Sequence, residues 1–411
     1  MVSTMPKLVY LDSSDFSNLS APDDELSREH RTILAMLREH KRAGTACYFM
    51  SAVHLSEAVH AAHSHKQAAV RRAELMRELC GSNTLRIPSD LPELELRKAL
   101  ADEKEIRLSI HEIKSSEGEW FGVRVPLEDM PARRASLHRE LEGLLSNLPR
   151  KDRRKLRAEL DLRKKSSHQK WRELLSRGAR SVPLQYPLSL LDQKIVVGWF
   201  LGEISDAEFR GQVLKITDDP YVMFNYLLDE QESRERLYNS LRKAGDSIAD
   251  ELDDKQLIDA LSAFSKSGVD LDLTAMIREF FTRPATLRQI ISQFNVDAEC
   301  AADEKLPKII ESCPSLHTFV EVNRSRLATR VHSYLSRLRA GKTSVKPRKA
   351  SDMGDLMHSY YAPYFDIFRC DAKFGAHLRS HKPIRTRIAD RIGDLTRMIS
   401  NLSTDSTRKV A

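Results

Sequence analysis

Cysteine is scarce in this chain: five residues in 411, at positions 47, 80, 300, 313 and 370, with no C-x-x-C pair among them. That spacing excludes a disulfide framework and argues against a zinc ribbon, so the expected compartment is a reducing cytoplasm. No apolar run approaches the ~20 residues that cross a bilayer, which excludes a membrane span. The opening MVSTMPKLVYLD enters its first strand almost at once, and no signal peptide is expected. A fixed-period repeat is also missing, so nothing points to a solenoid. What is present is 41% hydrophobic and 30% charged residues, the composition of a folded protein and not of a disordered one. The length allows two domains with sizeable cores. A formal charge of +7 is a modest push toward polyanions.

The most informative stretch is SDMGDLMHSYYAPYFDIFRCDAKFGAHL, residues 351–378. Ser351, Asp352, Gly354 and Asp355 read as a helix start, with acids where the macrodipole favours them. An amphipathic helix to Tyr361 stops before Pro363. Tyr364 to Cys370 reads as a mostly buried strand with Asp371 at its carboxyl end. Open α/β sheets bind ligands at that edge. Near the other terminus, Lys7 to Leu11 is a strand-length apolar run that stops at Asp12. Ala46 to Met50 is a second strand, and the helix after Ser51 carries Glu57 in its opening turns. Strands alternating with helices imply parallel pairing with helices on both faces.

Asp12, Glu57, Asp355 and Asp371 therefore follow strands or open helices, and a parallel sheet gathers such positions at one edge. Singly, each acid reads as a cap, a dipole partner or a solvated surface residue. Together they read as a cation site, because crowded carboxylates repel unless a hard ion such as Mg²⁺ or Mn²⁺ lies among them. Asp352 is an alternative to Asp355, and Asp15 a supporting acid. Asp366 is expected to face the other side of the sheet and pair with a base. His358, three residues after Asp355, lies beside the site or packs in the core.

This order of strand-Asp, helix-Glu, helix-opening Asp and strand-Asp resembles the PIN-domain nucleases, over roughly the first hundred and last sixty residues. The matching segments are LVYLDSSDF, SAVHLSEAVH, SDMGDLMHSYYAPY and FDIFRCDAKF. The resemblance implies a PIN-like three-layer α/β/α domain and Mg²⁺- or Mn²⁺-dependent hydrolysis of single-stranded RNA. It implies that Asp12, Glu57, Asp355 and Asp371 are catalytic and hold the metal. Toxin or phage-defence roles occur in the family, and with them an antitoxin or other protein partner. Cys370 departs from the Ser or Thr that members often have before the last acid. A DNA-directed nuclease and a non-catalytic binding scaffold stay open, as does an oligomer.

Between about 105 and 345 strand signals nearly vanish, and charged amphipathic helices broken by prolines follow one another. The expected organisation is a PIN-like domain from 1–104 and 346–411, interrupted by a large all-α insertion over 105–345. The most polarised piece, residues 149–180, holds thirteen basic residues against four acids. Arg153, Arg154, Lys155, Arg157, Arg163, Lys164 and Lys165 are its candidates for a phosphate backbone, most simply that of RNA. The plainer reading is a solvated helix face whose long stems cover core surface.

Overall fold

The computed structural model describes residues 5–103, 105–115, 131–132, 134–136, 139, 143, 149–151, 190–217, 219–229, 273–294, 296–297, 301–340, 351–381 and 386–408. Side chains are described for all of these but 60–64, 193, 273–274, 338–339, 351–353 and 402–408. The chain divides into two compact units, one of Met1–Ser115 with Leu227–Ala411 and one of Ser116–Tyr226. The boundaries thus fall elsewhere than at 105 and 345. The helices after residue 273 share a core with the sheet, because their apolar faces pack on it.

In the first unit the elements run β1 (Lys7–Tyr10), α1 (Ser13–Leu19), α2 (Arg28–Arg42), β2 (Ala46–Phe49), α3 (Ala52–Cys80), α4 (Asp90–Leu100) and α5 (Ile110–Ile113). They continue as α6 (Leu273–Thr282), α7 (Pro284–Ser292), α8 (Leu306–Ser312), α9 (Pro314–Arg339) and α10 (Ser351–Ser359). β3 (Ile367–Arg369), α11 (Ala372–Ser380), β4 (Arg387–Ala389) and α12 (Ile392–Arg408) complete it. The helices start and stop where local chemistry says they should. In α2, Ser27 accepts the His30 N–H at 3.0 Å, Ile33, Leu34 and Leu37 are buried, and His40, Lys41 and Arg42 sit at the carboxyl end of the dipole. Gly44, at φ +66°, then turns the chain into β2 as a residue with a Cβ would not.

The four strands are parallel, in the order β2-β1-β3-β4. Their pleat sorts side chains into two rows. Tyr10 is in register with Phe49 on one side and Phe368 on the other, and these rings join the core built with α4 and α6 to α11. Tyr10 and Phe368 stack at 4.8 Å with planes 2° apart. Val9 pairs with Tyr48 and Ile367, which point to the face covered by α2 and α12. Both faces are therefore clothed in helix, as an all-parallel sheet requires.

Between α3 and α4, Thr84 bridges Met50 in parallel while Leu85 bridges Lys114 antiparallel, so no further ladder propagates among the described residues there. One strand expectation changes in detail. The run from Tyr364 shortens because Pro363 sits in a tight 3-10 turn over Ala362–Tyr364 that delays β3 until Ile367.

The second unit is described through the helices Gln193–Phe200 and Asp206–Thr217. Trp199 stacks on Phe209 at 4.2 Å, with Leu191 and Val213 around them, and donates its indole N–H to Asp206 at 2.8 Å. The basic candidates Arg153, Arg154, Lys155, Arg157, Arg163, Lys164 and Lys165 lie outside the described residues.

Candidate active site at the carboxyl edge of the sheet

β2 lies on one side of β1 and β3 on the other, so the order reverses between β1 and β3. A crevice opens at such a switch point, beyond the carboxyl ends of the two strands. Asp12 follows β1 and Asp371 follows β3, so both flank it. Each also serves its own helix. The Asp12 N–H donates to Asp15 Oδ2 at 3.1 Å, and Ser14 Oγ donates to Asp12 Oδ2 at 2.6 Å. Asp371 Oδ1 accepts the Phe374 N–H at 2.6 Å. A helix amide thus orients Asp371. Capping and a second use are compatible, since a carboxylate has about four lone-pair sites.

Glu57 and Asp355 reach the same edge from α3 and α10. Burial pushes Asp355 up to about 7; Arg326 and His358 oppose this, while Asp371 and Asp12 add to it. Burial also raises the Cys370 thiol, and Asp12, Asp390 and Asp371 raise it further while Arg369 opposes. The carboxylates therefore lie near enough to repel one another. Glu57 goes the other way. Burial pushes it up, but His358, Ser13 and His54 outweigh that and hold it down to about 2. His358 Nε2 stands 3.7 Å from Glu57 Oε2. Burial lowers the His358 pKa, yet Glu57, Asp12 and Asp355 together carry it above the usual histidine value.

Three cationic side chains surround the acids. Arg326 on α9 lies 3.8 Å from Asp355 Oδ2, and Arg369 on β3 lies 3.1 Å from the buried Asp15. Arg72 on α3 donates to Ser17 Oγ at 2.7 Å and bears on Glu57 electrostatically. Burial lifts Asp15 to about 7, with Arg369 opposing and Asp12 reinforcing. Asp15 thus lies buried between the Asp12 N–H and Arg369.

The remaining candidates separate. Asp366 lies at the opposite edge: it is exposed and accepts the Leu8 N–H at 2.9 Å, so its partner is a backbone amide and not a base. Asp352 falls in the first turn of α10, and its side chain lies outside the described residues. Sequence reasoning missed Arg326, which is remote in the chain and reaches the site only through α9. It reads Gly354 only as part of a helix start and does not foresee its close approach to Glu57. A Cβ on Gly354 would run into Glu57 Oε1. Alanine favours helix over glycine by about 1 kcal/mol, and the displaced atom is a flexible carboxylate end. Gly354→Ala is therefore expected to leave the melting temperature unchanged or higher. It should displace Glu57 and lower any metal-dependent activity on the order of 100-fold, the effect of a 1 Å misplacement. Parallel melting and turnover measurements check both halves.

The donor set fits a hard divalent ion in chemistry, being all oxygen and in excess of the neighbouring positive charge. Among the described residues, no group of three or more His, Cys, Asp or Glu side chains is so placed that it could hold a metal ion. Comparison with protein-family models, with curated proteins and with solved structures finds no match to this chain.

Proposed function

We propose that this protein is a metal-dependent phosphodiesterase, most simply an endoribonuclease acting on single-stranded RNA, with Mg²⁺ or Mn²⁺ held by Asp12, Glu57, Asp355 and Asp371. One observation carries the reading: two adjacent parallel strands, β1 and β3, end in Asp12 and Asp371 on either side of the switch point, and repulsion from both acids adds to the burial that pushes Asp355 up to about 7. A fold keeps such repulsion where a cation relieves it. When bound, a divalent ion neutralises phosphoryl oxygens and acidifies water. The chain's own part is electrostatic and geometric. Asp371 and Asp12 are set by the helices they cap, and Glu57 by His358. Arg326 brings a positive charge against Asp355 and can offer a guanidinium to a phosphate.

The test is cleavage of labelled single-stranded RNA, beside DNA of the same sequence, with Mn²⁺ or Mg²⁺ and an EDTA control. RNA cutting by wild type, lost in EDTA and in Asp371→Asn, is the expected result. DNA cutting with the same dependence would move the substrate class to DNA. Cutting that survives Asp371→Asn would end the reading.

A further inference from the structure

A buried chain of hydrogen bonds runs beneath the acids. His54 Nε2 donates to the Leu11 carbonyl at 2.8 Å, one residue before Asp12. Its Nδ1 accepts the Ser51 N–H at 3.0 Å and lies 3.1 Å from Ser51 Oγ. Ser51 Oγ is 2.9 Å from the Tyr10 hydroxyl, and that hydroxyl is 2.6 Å from His358 Nδ1. The far nitrogen, His358 Nε2, is buried without a hydrogen-bond partner and faces Glu57 Oε2 at 3.7 Å. Tyr10, Ser51 and His54 are fully buried and His358 is 4% exposed, so water does not compete along most of the chain. The directions are largely determined. A carbonyl only accepts, so His54 carries its hydrogen on Nε2. A bare Nε2 on His358 would set a lone pair against the Glu57 carboxylate, so that nitrogen carries hydrogen too.

We infer that His358 is the positioning residue for Glu57, and that the chain His358–Tyr10–Ser51–His54 locks the Glu57 side chain to the backbone that carries Asp12. This rests on the metal reading proposed above and goes beyond it. Two acids from separate elements, 45 positions apart in sequence, gain a common reference without touching each other. The arrangement explains why a tyrosine stands in the row whose other rings are Phe49 and Phe368: its hydroxyl joins the ends of β1 and β2 to α10. Groups of this kind, which orient metal-binding side chains from behind, typically change metal affinity by ten- to a hundredfold when removed.

The experiment is a Mn²⁺ titration of the full chain by calorimetry, comparing wild type, Tyr10→Phe, His358→Asn and His358→Gln, with circular dichroism on each. Asparagine matches the Nδ1 end of the ring but falls short of Glu57, whereas glutamine reaches as far as Nε2. Tyr10→Phe and His358→Asn are expected to weaken Mn²⁺ binding about tenfold or more, with His358→Gln, which regains the contact to Glu57 but not the bond to Tyr10, recovering only part of the loss. Folded Tyr10→Phe and His358→Asn proteins that bind Mn²⁺ like wild type would overturn the inference and leave the metal reading intact. A wild-type protein that binds no Mn²⁺ would sink both. Should a variant fail to fold, the ¹⁵N spectrum of wild-type His358 decides: hydrogen on Nε2 is expected, and a bare Nε2 overturns the inference.

Discussion

Glu95→Ala is expected to lower the unfolding free energy by about 3–5 kcal/mol, because several buried neutral donors lose their acceptor at about 1–3 kcal/mol each. Glu95 on α4 is fully buried and grips the start of α9, 220 residues away. It accepts the Ser315 N–H at 3.0 Å, the Ser315 hydroxyl at 2.7 Å and the Tyr364 hydroxyl, with the Leu316 N–H at 3.4 Å. It thereby ties α4, α9 and the turn before β3 into one core, and its charge faces the positive end of a long helix. Alanine would leave all of these donors dry and unpaired. A loss of that size is a large fraction of ordinary domain stability, and denaturant unfolding measures it directly. The pH dependence follows from the same burial. Burial pushes the carboxyl from 4.5 up to about 7, with the hydrogen bonds from Tyr364, Ser315 and Leu316 opposing. The folded state therefore holds this proton more tightly than the unfolded chain. The associated stability is full below pH 4.5 and declines until about pH 7. Glu95→Gln, which keeps the shape without titrating, should lose that slope.

Asp12→Asn is expected to reduce Mn²⁺-dependent RNA cleavage on the order of 100- to 1,000-fold, the scale of removing one preorganised electrostatic group. Melting temperature in the absence of metal should stay level or rise. Asparagine caps a helix as well as aspartate does. The lost charge also relieves Asp15 and Asp355, both of which Asp12 pushes upward. Stability and activity moving in opposite directions would mark a residue kept for chemistry. Stability falling together with activity would mark Asp12 as a cap and nothing more. Rate and melting curve on one preparation distinguish the two.

The sequence made the site's edge legible because both pointers were local. An apolar strand that stops at an acid, twice, predicts Asp12 and Asp371, and the alternation of strands and helices predicts the parallel sheet. Boundaries slipped where local and tertiary preferences compete, as at Pro363, whose turn shortened β3. The sequence marks residues 105–345 as an all-α insertion but not which of its helices pack on the sheet. The structure puts Phe281, Ile291, Phe319 and Val331 in the core with Tyr10 and Phe368. No periodicity within a helix announces which surface it will cover. The chain from Leu11 to Glu57 was invisible for a related reason: His54, Ser51 and His358 are ordinary residues until three elements bring them together. Gly354 is the instructive case, since a glycine inside a helix is reason enough to ask what approaches it.

The most direct test of the account is whether the acids hold a cation at all. Metal-depleted protein should melt higher as Mn²⁺ is added, by mass action, with about 2.7 kcal/mol gained at a hundredfold excess over the dissociation constant. The double variant Asp12→Asn/Asp371→Asn should show no such rise, because the acids on both sides of the switch point are then neutral. An equal rise in the double variant, or none in wild type, would contradict the account.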